Sequence, residues 1–191
     1  MRILLIQGAN MIHLGKREPE IYGKTTASEL DAMLHQHARS KGYELEIFYT
    51  NVEGEAINRI YRAVEDGVDG LVMNPAGFNY AGYALRDCIK GAALPYVEVH
   101  MTNVEVREIK CLISKIADGV IFGLGVHSYA WIGSHALFAL QCNQGHAQDA
   151  RRPIRRYGRT GVSSSTLSTS GLTIAATYQR RSSVRRGERQ E

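Results

Sequence analysis

Apolar and polar positions fall into two alternating patterns from the first residue. Residues 2–7 (RILLIQ) form a short apolar run closed by Gly8, the mark of a strand buried on both faces. Thr26 followed by Glu29 reads as a capping box, after which Leu30, Met33, Leu34 and Ala38 recur at helical spacing until Gly42 supplies a stop. Residues 43–50 (YELEIFYT) alternate like a strand, and residues 53–66 return to helical spacing through Ile57, Ile60 and Val64 before Gly67. A strand at 70–74, a helix at 80–92, strands at 95–100 and 119–123 and a last helix at 128–141 complete the series. Five strands, each followed by a crossover, predict an α/β fold with a parallel sheet.

Beyond about residue 145 the pattern dissolves into Ser, Thr, Gly and Arg, so a folded domain over 1–145 and a disordered tail over 146–191 are expected. Charge sharpens that division. Residues 150–191 hold ten arginines against Glu188 and Glu191, a net +8, whereas residues 1–149 hold 13 Lys/Arg and 17 Asp/Glu, a net −4. The overall +4 therefore belongs to the tail, and a nucleic-acid role could apply only there; such a partner is not expected. Cys88, Cys111 and Cys142 are odd in number and lack a CxxC pair, which argues against a disulfide framework or structural zinc and for a reducing compartment. No apolar run approaches the roughly 18 residues of a membrane span, and the first residues turn polar too early for a signal peptide. A cytoplasmic protein is expected.

Parallel α/β sheets carry their sites at the carboxyl ends of the strands. Those ends present Asn10, Asn51, Asn74 and the run from Glu98 through His100 to Asn103, a rim rich in neutral hydrogen-bonding groups. The 8–25 segment is long for a βα loop and contains Arg17 and Tyr22. A phenol of ordinary pKa about 10 becomes a useful base only where a cation favours the phenolate, which a guanidinium in the same loop could do. Equally, Tyr22 could simply pack the loop, with Arg17 solvated. Strand alternation puts Glu98 and His100 on one face, where the carboxylate can orient the imidazole and raise its pKa, preparing a proton donor; a structural histidine capping the strand is the alternative. Asn74 could bind a ligand or start the turn at Pro75. The chain has no GxGxxG, Walker loop, GxSxG or HExxH, which counts against common nucleotide enzymes, serine hydrolases and zincins.

Taken together, GANMIHLGKREPEIYG at 8–23, NVEGEAINRI at 51–60, NPAGFNYAGYALRD at 74–87, PYVEVHMTN at 95–103 and GVIFGLG at 119–125 resemble type II 3-dehydroquinate dehydratase over about residues 1–142. The resemblance implies a flavodoxin-like three-layer sandwich, a trimer-based dodecamer, and elimination of water from 3-dehydroquinate to 3-dehydroshikimate in the shikimate pathway. It implies neither a metal nor a cofactor. Carried over residue by residue, it makes Tyr22 the base, with Arg17 lowering its pKa. Asn10 would help hold the enolate, and His100, oriented by Glu98, would protonate the departing hydroxyl. Asn74 and the backbone N–H groups of Met101 and Thr102 would hold the substrate, and Asp87 would reach a neighbouring subunit's site.

The departures from the family pattern are concentrated. The stretch after the EVH strand is about three residues shorter, so the family's substrate-binding arginine is expected to be missing, with Lys110 the only nearby cation. A Thr-His pair is replaced by Asn79-Tyr80, the Pro after the first glycine by Ala9, and a Gln-Gly by His127-Ser128. The first two changes concern the substrate's hydroxyls away from the reacting carbons. Two alternatives follow: a divergent dehydratase acting on a related hydroxy-keto acid, or a catalytically impaired binding homologue.

Overall fold

The computed structural model describes residues 1–131. Most of the expected last helix, the boundary near 145 and the tail lie outside the described residues. Five strands, β1 (Arg2–Ala9), β2 (Glu44–Tyr49), β3 (Gly70–Ala76), β4 (Tyr96–Val99) and β5 (Gly119–Ile121), pair in parallel in the order β2-β1-β3-β4-β5. That is the flavodoxin-like doubly wound order, with β1 and β3 flanking the switch point.

The pleat of β1 divides the core in two. Ile3 and Leu5 join Leu30, Leu34 and Ala38 of α2 (Ala27–Lys41) on one face of the sheet. On the other face Leu4 and Ile6 meet Ala56, Ile60 and Ala63 of α3 (Glu53–Glu65) and Leu85 and Ile89 of α4 (Tyr83–Ala92). Full burial of each Leu or Ile contributes roughly 1.5–3 kcal/mol, so β1, buried on both sides, holds the three layers together. A fourth, single-turn helix, α1 (Pro19–Tyr22), lies within the long loop after β1.

The capping box forms as expected. Thr26 Oγ1 accepts from the Glu29 N–H at 3.2 Å, the Glu29 carboxylate accepts from the Thr26 N–H at 2.8 Å, and Gly42 ends α2 at φ 73°. Two expected core positions differ. Met33 and Val64 are exposed, because α2 and α3 turn their alanines, Ala27, Ala56 and Ala63, to the sheet and so approach it closely. The helix expected from residue 80 starts at Tyr83, since Gly77–Tyr80 forms a separate 3-10 turn. Among the described residues no helix is long and apolar enough to cross a membrane.

Gly8 carries the close approach at the switch point. A Cβ there would lie 2.3 Å from the Pro75 carbonyl oxygen, so only glycine lets the ends of β1 and β3 run side by side. Directly beyond them the chain diverges into the 10–25 loop on one side and the 77–80 turn on the other. A cleft opens between.

Candidate active site

That cleft is a cavity of about 310 Å³ at the carboxyl ends of β1, β3 and β4. Eight of the residues expected from the sequence border it: Asn10, Arg17, Tyr22, Asn74, Tyr80, His100, Met101 and Thr102. Glu98 sits behind His100 and is completely buried. Asp87 is exposed on α4 and outside the cavity lining, and Lys110 lines a neighbouring groove instead.

The β4 side is a closed network. His100 Nε2 lies 2.6 Å from Glu98 Oε1, Tyr96 donates to Glu98 Oε2 at 2.7 Å, and Asn79 Nδ2 donates to Oε1 at 3.3 Å. The Ser114 hydroxyl donates to the same Oε1. Burial alone would push the Glu98 carboxyl up, but hydrogen bonds from His100, Ser114 and Tyr96 outweigh it and hold the group below its ordinary value. Burial likewise disfavours the His100 cation, yet the neighbouring Cys111 thiol and the Glu98 carboxylate raise the imidazole to about 9. At neutral pH the pair is therefore imidazolium and carboxylate, with the proton on the group that borders the cavity. Such an imidazole is prepared to donate.

The opposite wall comes from the loop. Asn10 adopts φ 73° and its N–H donates to Asn51 Oδ1 at 2.7 Å, which ties the loop's start to the end of β2. Tyr22 ends α1, half-buried against the α2 side of the core. Arg17 stacks over its ring at 5.8 Å but spends its Nε on Glu18 at 2.8 Å.

The direct contact to the phenol comes from a residue that sequence reading passed over. Arg107 Nη1 donates to the Tyr22 oxygen at 3.1 Å and to Thr102 Oγ1 at 3.0 Å, and its guanidinium lies 5.6 Å from the Tyr22 ring centre. The Tyr22 oxygen in turn holds the Arg107 guanidinium above its already high value. The expectation that Lys110 is the only nearby cation is thus corrected: Arg107 borders the cavity and Lys110 does not. The physical reason is a turn. Asn103 Oδ1 accepts from the N–H groups of Glu105 and Val106 at 3.1 and 3.2 Å, and the Arg107 N–H returns to the Asn103 carbonyl at 3.3 Å. This folds residue 107 back over the end of β4. An Asn followed four residues later by a cation was the available signal.

Asn74 is held from beneath. Its Oδ1 accepts from the Ala76 N–H at 3.2 Å, and its Nδ2 donates to the buried Tyr129 oxygen at 2.8 Å, whose own proton goes to Gln7 Oε1 at 2.8 Å. The chain of donors has one direction, which fixes the orientation of the Asn74 amide. For a metal, the described residues bring one trio of donor types together: atoms of Glu98, His100 and Cys111 all lie within 4.8 Å of one another.

A cationic imidazole and a phenol contacted by a guanidinium, both bordering one cavity of a doubly wound sheet, make a candidate acid–base site. The family model for class II dehydroquinases matches residues 1–137, and the chain belongs to that family. A 3-dehydroquinate dehydratase of Polynucleobacter asymbioticus is 43% identical over 142 residues, spanning 73% of this chain and 95% of the relative. The crystal structure of a type II dehydroquinase from Butyrivibrio crossotus superposes with a TM-score of 0.67 at 34% identity, covering 74% of this chain and 97% of that one. That of the Propionibacterium acnes enzyme gives 0.68 at 32% identity, covering 72% and 96%.

Proposed function

We propose that the chain is a hydro-lyase that removes water from 3-dehydroquinate to give 3-dehydroshikimate, the activity that its curated relatives' name describes. The observation that carries this reading is the pairing, around one cavity, of the Glu98-held His100 cation with the Arg107-contacted Tyr22. Tyr22, positioned by its hydrogen bond from Arg107, takes the proton alpha to the ketone. Asn10 stabilises the enolate oxygen, and His100 passes its proton to the departing hydroxyl. Each transfer is general acid or base catalysis, a contribution of about 10²–10⁴ in rate. Asn74 and the N–H groups of Met101 and Thr102 hold the substrate, with Arg107 an additional cation on the carboxylate-binding rim.

Mixing the purified protein with 3-dehydroquinate should generate the ultraviolet absorbance of a conjugated enone. Tyr22→Phe should slow its appearance by about 10²–10⁴ while leaving the circular dichroism spectrum unchanged. No absorbance from the unaltered chain at any substrate concentration would sink the proposal. One observation favours a second reading, a related hydroxy-keto acid: Tyr80, 70% exposed, stands at the rim where the resemblance calls for an imidazole. Ordinary turnover of dehydroquinate at low concentration excludes it.

A homo-oligomer, the trimer-based dodecamer, is part of the same proposal. Asp87 is exposed and outside its own chain's cavity, so it can serve only a neighbour's, and Tyr83, 69% exposed on the same helix, offers an apolar surface for association. A clean monomer in light scattering at micromolar concentration would rule this out. The unpaired thiols Cys88 and Cys111 support a reducing, cytoplasmic location.

A further inference from the structure

We propose that Glu98, His100 and Cys111 form a site for a thiophilic divalent cation, Zn²⁺ or Cd²⁺, and that its occupation switches the dehydration off. Sulfur, nitrogen and oxygen donors converge here from β4 and the 109–112 segment. Cys111 Sγ lies 3.9 Å from His100 Nε2, and all three donor atoms fall within 4.8 Å of one another. Bond lengths of about 2.3 Å to sulfur and 2.0 Å to nitrogen at a tetrahedral angle place those two atoms about 3.5 Å apart. The Cys–His pair is therefore close to a ligating separation already. The imidazole and Glu98 Oε1, at 2.6 Å, must part to admit an ion between them, Oε1 loosening its bonds from Ser114 and Asn79 as it turns.

Charge favours the exchange. Glu98 is a buried carboxylate whose other oxygen stays fixed by Tyr96, so one negative charge is in place beforehand. When the ion binds, the thiol and the imidazolium each release a proton to solvent. A dication with one thiolate, one carboxylate and a neutral imidazole is electrically balanced, so the complex buries no net charge.

Access does not depend on the substrate cavity. Cys111 is half-buried and lines the neighbouring groove, whose charged walls carry Glu105 and Glu108 against Lys110 and Lys115 and so neither attract nor repel a cation strongly. The donor set selects soft, borderline ions over Mg²⁺ and Ca²⁺, which prefer oxygen ligands alone. The consequence for the reaction is direct: with Nε2 metallated the ring is a neutral imidazole, and its remaining Nδ1–H is far too weak an acid to protonate a departing hydroxyl. This last step rests on the assignment of His100 as the acid; the binding itself does not.

The test titrates the full-length chain with Cd²⁺, following the ultraviolet charge-transfer band of a cadmium thiolate. One equivalent per chain should produce the band. Cys111→Ser should lose it, and the double variant Cys88→Ser with Cys142→Ser should keep it, which excludes the other two thiols. Zn²⁺ should displace Cd²⁺, whereas Mg²⁺ should not. In the dehydration assay, saturating Zn²⁺ should slow the unaltered chain about a hundredfold, and each variant is compared with its own metal-free rate so that changes in basal activity cancel. A band of equal strength in Cys111→Ser, or none in the unaltered chain, overturns the site. Stoichiometric binding without inhibition overturns its effect on the reaction. Failure of the metal-free chain to dehydrate 3-dehydroquinate would count against the assigned activity and leave the titration to decide the site on its own.

Discussion

The two walls of the cavity are built in opposite ways. On the β4 wall the proposed acid is set into the core: Glu98 receives hydrogen bonds from Tyr96, Asn79 and Ser114 besides its contact with His100, and none of these depends on a ligand. On the loop wall the phenol of Tyr22 is reached by Arg107, itself exposed, across a single 3.1 Å hydrogen bond. A general acid can be fixed in advance because its proton must be held at one place. The proposed base stands instead on a loop anchored in the core through Met11 and Leu14, and the one side-chain hydrogen bond to its phenol oxygen adds little to the fold. Damage to the first wall should therefore cost both fold and rate, and damage to the second mainly rate.

Glu98→Gln should show the largest combined effect. It removes the negative partner of a buried imidazolium, a loss of about 3 kcal/mol in stability and roughly 10²-fold in turnover at neutral pH. The pH dependence has a definite sign. His100 is raised from 6.5 to about 9, so its contribution to stability is fully present below about 6.5 and disappears as pH rises through 9. Glu98 is lowered, so its contribution is present above the ordinary carboxylate value of 4.5 and is lost as pH falls below it. The difference in unfolding free energy between the unaltered chain and the variant should be greatest near pH 5–6.5 and shrink on both sides. Denaturant melts at pH 4, 6 and 10 measure it, and a difference independent of pH would contradict the ion pair.

Arg107→Ala tests the other wall. An exposed charged hydrogen bond to a phenol is a modest interaction, so a tenfold to hundredfold fall in kcat is expected with little change in melting temperature. Arg107→Lys should restore only part, because an ammonium can replace the bonds that Nη1 makes to Tyr22 and Thr102 but not the flat face that the guanidinium lays over the phenol ring. A loss in stability as large as that of Glu98→Gln would erase the contrast between the walls.

This contrast also explains what could be read from the sequence. The sheet was legible because β1 and β3 are nearly unbroken apolar runs, and the Glu98–His100 pair because alternation along β4 puts residues 98 and 100 on one side. Its supports were not, since Asn79 and Ser114 arrive from turns 19 and 16 residues away that no local pattern links to Glu98. Arg107 escaped because a three-residue shortening drew attention to Lys110, while the turn that returns residue 107 to the cavity depends on the side chain of Asn103. Alignment by length misplaced the cation. Hydrogen bonding within the turn decides its position.

Tyr129→Phe probes the floor between the walls, with a smaller effect. The phenol links Asn74 to Gln7 in full burial, and its removal leaves a donor and an acceptor without that partner, at a cost of about 2 kcal/mol. KM should rise severalfold as the Asn74 amide loses its fixed orientation, with kcat close to that of the unaltered chain. An equal fall in kcat would place Asn74 in the chemistry and not only in binding.

The smallest effect belongs to the edge of that floor and runs the other way. Ala76, the last residue of β3 and part of the cavity lining, adopts φ 46° and ψ −119°, a region in which a Cβ is strained by an amount on the order of 1–3 kcal/mol. The conformation is held because the Ala76 N–H must reach Asn74 Oδ1 while Gly77 passes Ala9, against which an added Cβ would lie at 3.2 Å. Ala76→Gly removes the strain but also frees the unfolded chain, which returns up to about 1 kcal/mol. A net gain of roughly 1 kcal/mol is expected, visible as a higher denaturation midpoint with an unchanged slope. Because the strained residue lies next to the Asn74–Tyr129 link and far from the Tyr22–Arg107 contact in the chain, KM should respond before kcat does. A destabilised glycine variant would mean that the surrounding hydrogen bonds select this backbone without strain, and the floor would then belong with the rigid β4 wall.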